Sequence, residues 1–191
     1  MNHKQHRLEA ILVAKKKLTL DPVYLDVETT GMEALDEIIE IAIVDHGGST
    51  LIDSFVKPVG DISPDAYAIH GISEDMITDA PTWTALWPQV EQSLQGRVVG
   101  IYNADFDIRM MEQSHLMNQM DWQPPYSDYF CIMKLYAQFH GDWNPSRRSY
   151  RWQSLDAARR QCNIGLPNTH RAKDDTLLTQ ALLHYMADQK S

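Results

Sequence analysis

The stretch Val23-Tyr24-Leu25-Asp26-Val27-Glu28-Thr29-Thr30-Gly31 decides the fold and carries the first chemical signal. Its apolar, β-branched and aromatic residues, which follow Pro22, predict a buried β-strand. Two acids interrupt this strand, and residues two apart on a strand point to the same face. Paired carboxylates on a buried face are unfavourable unless a cation compensates them, and a divalent metal with oxygen ligands does so most readily. A strand end with solvated acids is the simpler alternative.

The 191-residue chain has the composition of an ordinary globular protein, with 43% hydrophobic and 23% charged residues. It contains no apolar run of roughly 18 residues that would span a membrane, and Met1 to Leu20 lacks the features of a signal peptide. Its two cysteines, Cys131 and Cys162, are too few for a disulfide framework, so we expect reduced thiols and a cytoplasmic location. The net charge of −9 argues against nucleic-acid binding by bulk electrostatics, but it allows an enzyme that holds nucleic acid at an acidic metal site.

The order of predicted elements indicates an α/β fold in which a mixed sheet is flanked by helices. The predicted strands begin at Val23 and continue at 38–45, 50–57 and 97–102, with a short fifth strand near 129–132. The predicted helices cover 7–18, 64–70, 82–94, 104–117, 130–139, 154–162 and 174–186. Residues 140–150 are predicted to form a polar loop. We expect an N-terminal helical extension over residues 1–20, covering the surface of a single domain over residues 21–188.

Two further acids occur where the first pair would need additional ligands. Asp107 closes the motif Asn103-Ala104-Asp105-Phe106-Asp107 after the fourth strand, and Asp175 closes His170-Arg171-Ala172-Lys173-Asp174-Asp175. Four carboxylates carry the charge that two divalent cations would balance, and such pairs of cations clamp the oxygens of phosphoryl transfer. His170 is a candidate general base. Taken alone, Asp107 would be interpreted as a helix N-terminal acid, and Asp174 competes with Asp175 as the ligand.

In this order, the motifs resemble those of the DEDDh (DnaQ-like) 3′–5′ exonucleases, which have an RNase H-like fold. The segment His70-Gly71-Ile72 also matches, and the resemblance runs from about Val23 to Tyr185. It implies an RNase H-like, five-stranded mixed β-sheet flanked by α-helices. It implies that Asp26, Glu28, Asp107 and Asp175 bind two ions of Mg²⁺ or Mn²⁺ and that His170 is the general base.

The resemblance further implies that a site for the terminal nucleotide is formed by Thr29, Thr30, Asp65 and His70. Gly31 is expected to let the backbone approach a ligand closely. Tyr102 is a departure, because many members of the family have histidine there; the position is not a metal ligand.

The function we expect is metal-dependent hydrolysis of nucleic acid from a free 3′ end to nucleoside 5′-monophosphates, with single-stranded DNA as the favoured substrate. An exoribonuclease that trims RNA or short oligoribonucleotides is one alternative, and a catalytically silent polymerase-docking module is another. Protein partners left open are a second copy of the chain and a polymerase or other replication or repair protein; no membrane is involved.

Two aromatic groups have less specific patterns. The segment 147–152 combines arginines with Tyr150 and Trp152, so it suits either an ordinary surface loop or the stacking of a single strand. The residues predicted to belong to the core are Trp83, Trp87, Phe106, Phe130 and the nearby Leu135.

Overall fold

A computed structural model describes residues 3–190, so the first two residues of the predicted extension, and Ser191, lie outside the described residues. The central element is a five-stranded sheet in the order β3-β2-β1-β4-β5. Its strands are β1 (Val23–Thr29), β2 (Ile38–Val44), β3 (Thr50–Phe55), β4 (Val98–Ile101) and β5 (Asp128–Cys131). The first three strands pair antiparallel, whereas β4 pairs parallel with both β1 and β5. The predicted five-stranded mixed sheet is therefore confirmed.

Helices flank both faces of this sheet. Within residues 3–190 they are α1 (His3–Leu18), α2 (Pro64–His70), α3 (Glu74–Ile77), α4 (Trp83–Leu94), α5 (Ala104–Met117), α6 (Ile132–His140), α7 (Leu155–Gln161) and α8 (Ala172–Asp188). The single-turn helix α3 was not predicted, because one turn is too short to produce an apolar period. The predicted polar loop 140–150 is also wrong in part, since it contains a hairpin of β6 (Trp143–Asn144) and β7 (Ser149–Tyr150).

Side chains of β1 alternate between two hydrophobic clusters, one on each face of the sheet. Tyr24 packs in the cluster built with α1, α6, α7 and α8, whereas Leu25 and Val27 pack in the cluster built with α4 and α5. Because the alternation has a period of two, Asp26 and Glu28 belong to the face of Tyr24, which α8 covers. The strand thus directs both acids toward the start of α8.

The N-terminal helix α1 packs on the same face. Its Ala10, Ile11 and Ala14 are buried in the cluster that also contains residues of α6 and α8. Arg7 donates a hydrogen bond of 2.8 Å to the carbonyl oxygen of Phe139, and its guanidinium lies 3.7 Å from the centre of the Phe139 ring. Among residues 3–190, no helix combines the length and apolar composition needed to cross a bilayer.

Candidate active site

Five acidic side chains line one cleft of about 570 Å³, which we call the acidic cleft: the four predicted metal ligands and Asp156, which forms ion pairs with Arg159 and Arg160. Asp26 and Glu28 come from β1, while Asp107 and Asp175 come from the first turns of α5 and α8. The cleft lies where β1 ends and where the chain leaves the parallel strand β4 to begin α5. His170, in the loop before α8, is exposed and also lines it.

Burial makes the ionised forms of these four carboxyl groups unfavourable. It is the largest cause that raises the pKa of Glu28 to about 8, that of Asp107 to about 8 and that of Asp175 to about 6. Burial also raises the pKa of Asp26 well above its usual range, and the charges of Asp107 and Glu28 add to the effect. Without a cation, the carboxylate forms of these groups are therefore less favourable in the cleft than they are in water.

The donor set fits a divalent cation. One ligand atom from each of Glu28, His170 and Asp175 lies within 4.8 Å of the other two. Oδ1 of Asp175 is buried and accepts no hydrogen bond from the described residues, so its lone pairs are available to a metal. Hard divalent cations prefer carboxylate oxygens, and a cation would offset the repulsion that raises these pKa values.

Backbone and amide donors hold two of the acids in place. The backbone of Val27 hydrogen-bonds the Asp107 carboxyl group, which links α5 to β1 and partly opposes the rise in pKa. The side chain of Asn168 and the backbone of Thr169 hydrogen-bond Asp175, and both contacts partly oppose the rise in its pKa. Sequence reasoning missed Asn168, which belongs to no recognisable motif.

The buried acid Glu40 was also missed. It lies on β2 directly opposite Glu28 and is 3% exposed. The guanidinium of Arg171 donates to Glu40 from Nη2 at 2.6 Å and from Nε at 3.1 Å, and the backbone N–H of Ala172 donates to it at 3.0 Å. Glu40 therefore fixes the start of α8, and with it the loop of His170, to the sheet. In the sequence, the only indication of this role is that Glu40 is an acid within the otherwise apolar strand β2.

A second cleft of about 300 Å³, which we call the side cleft, shares Val27, Glu28 and Phe106 with the acidic cleft. Four of the residues predicted to lie near the terminal nucleotide line it: Thr29, Gly31, Asp65 and His70. Phe106, predicted to be a core residue, is only half-buried and lines both clefts. The core prediction for Phe106 therefore holds only in part: the ring packs against the cluster built with α4 and α5, and it also faces the clefts.

Thr30 does not line either cleft. Its hydroxyl donates to Oδ1 of Asp36 at 2.7 Å and accepts from the backbone N–H of Glu37 at 3.0 Å. Gly31 is required by the same loop, since a Cβ there would lie 2.5 Å from Oδ2 of Asp36. The group that approaches the backbone of Gly31 closely in this structure is thus the Asp36 side chain.

The imidazole of His70 is fixed by two hydrogen bonds. Nδ1 accepts from the backbone N–H of Ile72 at 3.0 Å, so Nε2 carries the proton and donates to the carbonyl oxygen of Thr29 at 3.2 Å. Burial lowers the pKa of His70, which keeps the ring neutral. His70 thereby ties the end of α2 to the end of β1, while its ring forms part of the side-cleft wall.

The neighbouring acids have partners elsewhere. Asp174 accepts a hydrogen bond of 2.7 Å from the Thr169 hydroxyl, and Asp105 forms an ion pair of 2.6 Å with Lys134. Neither lines the acidic cleft, whereas Asp107 and Asp175 both do.

Comparison with known proteins gives a consistent picture. The sequence profile of the exonuclease family matches residues 23–183. The chain is similar to an uncharacterized exonuclease, CP81, of Escherichia phage 186, at 34% identity over 185 residues that cover 91% of this chain and 92% of that protein. It is similar to the PolC-type DNA polymerase III of Thermotoga maritima at 31% identity over 175 residues, covering 88% of this chain and 12% of the polymerase. The structure of Exonuclease X in complex with 5′ overhanging duplex DNA matches with 29% identity and a TM-score of 0.63, covering 86% of this chain and 90% of that one.

Proposed function

The chain belongs to the exonuclease family, as a 3′–5′ exonuclease of the DnaQ-like (DEDDh) type, and we propose that it hydrolyses single-stranded DNA with two divalent cations. The products we propose are nucleoside 5′-monophosphates. The observation that carries the proposal is the convergence of Asp26, Glu28, Asp107 and Asp175 on one cleft beside His170. Asp107 and Asp175 are buried and the other two acids are half-buried, so their charges are unfavourable together unless a cation offsets them.

In this proposal, the four carboxylates hold Mg²⁺ or Mn²⁺. Cations bound there would stabilise the negative charge that develops on the attacking and leaving oxygens. His170 accepts the proton of the attacking water at a ring nitrogen and, being exposed, returns it to solvent. Glu40 and Arg171 keep that loop on the sheet.

The side cleft is the proposed site of the terminal nucleotide. It adjoins the acidic cleft through Glu28 and Phe106, so a nucleotide bound there would place its phosphate beside the carboxylates. The half-buried ring of Phe106 offers a face on which a base can stack. Thr29, Asp65 and the neutral ring of His70 complete the polar part of the wall.

The test compares single-stranded DNA, duplex DNA and RNA of one sequence, each labelled at the 5′ end and digested with Mg²⁺ or Mn²⁺. We expect stepwise shortening from the 3′ end, release of 5′-monophosphates and the fastest turnover on single-stranded DNA. A strand blocked at its 3′ end should resist digestion. Cleavage of a circular single strand would contradict an exonuclease, and faster digestion of RNA would assign the enzyme to the exoribonuclease alternative.

A catalytically silent docking role has less support, because such a role gives no reason for these four acids to share one cleft. Association of the active enzyme with a polymerase is compatible with the match to the PolC-type polymerase, of which this chain spans 12%. Co-elution of the purified chain with a replicative polymerase in size-exclusion chromatography tests this association, and separate elution at micromolar concentrations of both proteins would contradict it.

A further inference from the structure

The hairpin and the residues that follow it, Trp143 to Trp152, form a surface that the catalytic site does not use. Trp143 and Tyr150 face each other across β6 and β7, with ring centres 5.2 Å apart. The turn is closed by the side chain of Asn144, which accepts from the backbone N–H groups of Ser146 and Arg147. Beside it lies a groove of about 500 Å³ lined by Asn144, Arg147, Ser149, Tyr150, Arg151 and Trp152. We call this surface the 143–152 platform.

The platform is anchored to the rest of the fold. The Tyr150 hydroxyl lies 2.5 Å from Nδ1 of His6 on α1. Immediately after the platform, the carbonyl oxygen of Gln153 accepts a hydrogen bond of 2.8 Å from the hydroxyl of Tyr102. Tyr102 itself lines the acidic cleft, so the platform and the cleft share a structural support.

The charge of the platform is opposite to that of the protein. The chain has a net charge of −9, yet Arg147, Arg148 and Arg151 are all exposed here. Within residues 3–190, the guanidinium groups of Arg147 and Arg148 form no ion pair, and that of Arg151 has one contact with Asp142 at 3.5 Å. These cations are therefore available to a polyanion, which the acidic cleft alone would repel.

Trp152 adds an aromatic face at the end of the platform nearest the cleft. Its side chain is 63% exposed, and it precedes Ser154, a residue of the acidic-cleft wall, by two positions. Since consecutive Cα atoms are about 3.8 Å apart, the Cα atoms of Trp152 and Ser154 are at most about 7.6 Å apart. Base stacking on exposed aromatic rings, next to cations that hold phosphates, is the usual way to bind a single strand without reading its sequence.

We propose that the 143–152 platform binds the substrate strand upstream of the nucleotide that is removed. Trp152 stacks on an unpaired base, and Arg147, Arg148 and Arg151 hold the phosphates. The occupant is a single strand because the bases of a duplex do not expose their faces. This inference rests on the proposed function, and it adds a site outside the acidic and side clefts.

The test measures KM and kcat on a twenty-nucleotide single strand and on a dinucleotide, which is too short to reach the platform. Trp152→Ala should raise the KM for the long strand by about 5- to 160-fold, the usual range for loss of one stacked base, and Trp152→Phe should restore most of the affinity. The double variant Arg147→Ala/Arg148→Gly removes two cations that hold phosphates. The negative slope of log affinity against log salt concentration should therefore become shallower by about 1.4. Glycine suits position 148, where φ is +49°, so this variant should fold. Turnover of the dinucleotide should be unchanged in all three variants.

Lys16→Ala is the matched control, because Lys16 is an exposed cation on α1 and lies roughly 15 Å along that helix from His6, which contacts Tyr150. It should leave the KM for the long strand as it is in the wild type. Unchanged KM and salt slope in the platform variants, with an active wild type, would overturn the platform and leave the proposed function intact. Equal losses on both substrates would also overturn it, since they would indicate damage to the acidic cleft. A wild type that binds the long strand through Trp152, measured by fluorescence anisotropy, but degrades nothing would support the platform and contradict the proposed function.

Discussion

A bidentate ion pair joins Glu40, buried in the sheet, to Arg171, the residue that follows His170. The pair connects the strand opposite Glu28 with the loop that carries the proposed base and with the first turn that carries Asp175. Forked arginine–carboxylate contacts are directional, so they fix an orientation as well as a distance. The relative placement of His170 and Glu28 therefore depends on a contact that touches no substrate.

Glu40→Gln should lower kcat more than it changes KM, because the loop of His170 loses its support while the side cleft keeps its walls. It should also lower the melting temperature, since an arginine loses its buried partner. Steady-state kinetics and thermal unfolding measure both effects.

Asp53→Asn is the matched control for Glu40→Gln. It breaks the exposed ion pair of 2.9 Å between Asp53 and Lys173, which also joins the sheet to the first turn of α8. Exposed pairs contribute about 0–1 kcal/mol, so this variant should retain the kcat of the wild type. Equal kcat values in the two variants would show that the Glu40 contact does not position the loop.

Activity should be absent in excess chelator and should return with Mg²⁺ or Mn²⁺. The same metals should raise the melting temperature of the wild type, because a ligand that binds only the folded chain stabilises it. Asp107→Asn should lose most of this thermal shift, whereas Asp105→Asn, two residues away and paired with Lys134, should keep it. Full activity in chelator, or an identical thermal shift in the two variants, would contradict the assignment of Asp107 as a ligand.

Without metal, stability should fall as the pH rises from about 4 to about 8. Burial raises the pKa of Glu28 and of Asp107 to about 8, so in this range the folded chain keeps protons that the unfolded chain has released. The stabilisation from these protons is complete below the unfolded pKa and is lost as the pH passes through the folded pKa. Thermal unfolding in chelator between about pH 5 and pH 8 measures the trend, which Asp107→Asn should weaken. A melting temperature that rises steadily over this range would contradict it.

Much of the fold follows from local patterns in the sequence. The alternation in β1 placed Asp26 and Glu28 on one face, and the two clusters confirm that alternation. The five-stranded mixed sheet and the membership of the exonuclease family are confirmed as well.

What the sequence did not predict depends on contacts between distant residues. Glu40 and Arg171 are 131 positions apart, so neither suggests the other. The burial of Thr30 depends on how Asp36 folds back over the turn, and the hairpin from β6 to β7 is too short to produce an alternating pattern. The roles assigned to the site residues stay predictions that the variants above address.

The central claim is that the acids hold metal while His170 moves a proton. Substitution of an acid should therefore lower metal affinity and turnover, whereas substitution of His170 should lower turnover alone. A ring nitrogen of His170 lies within 4.8 Å of carboxylate oxygens of Glu28 and Asp175, so a measurement of metal affinity distinguishes a base from a ligand at this position. Asp175→Ala removes a ligand charge, and Asp174→Ala, the adjacent acid outside the cleft, is its matched control.

The decisive measurement is calorimetric titration of Mn²⁺ into His170→Ala and Asp175→Ala, paired with pH–rate profiles. We predict that His170→Ala binds Mn²⁺ as the wild type does, loses about 10²–10⁴-fold in kcat and has a flattened ascending limb in its pH profile. Asp175→Ala should lose both Mn²⁺ affinity and turnover, while Asp174→Ala keeps both. If His170→Ala loses Mn²⁺ affinity as severely as Asp175→Ala, or keeps the wild-type pH profile, His170 is not the base.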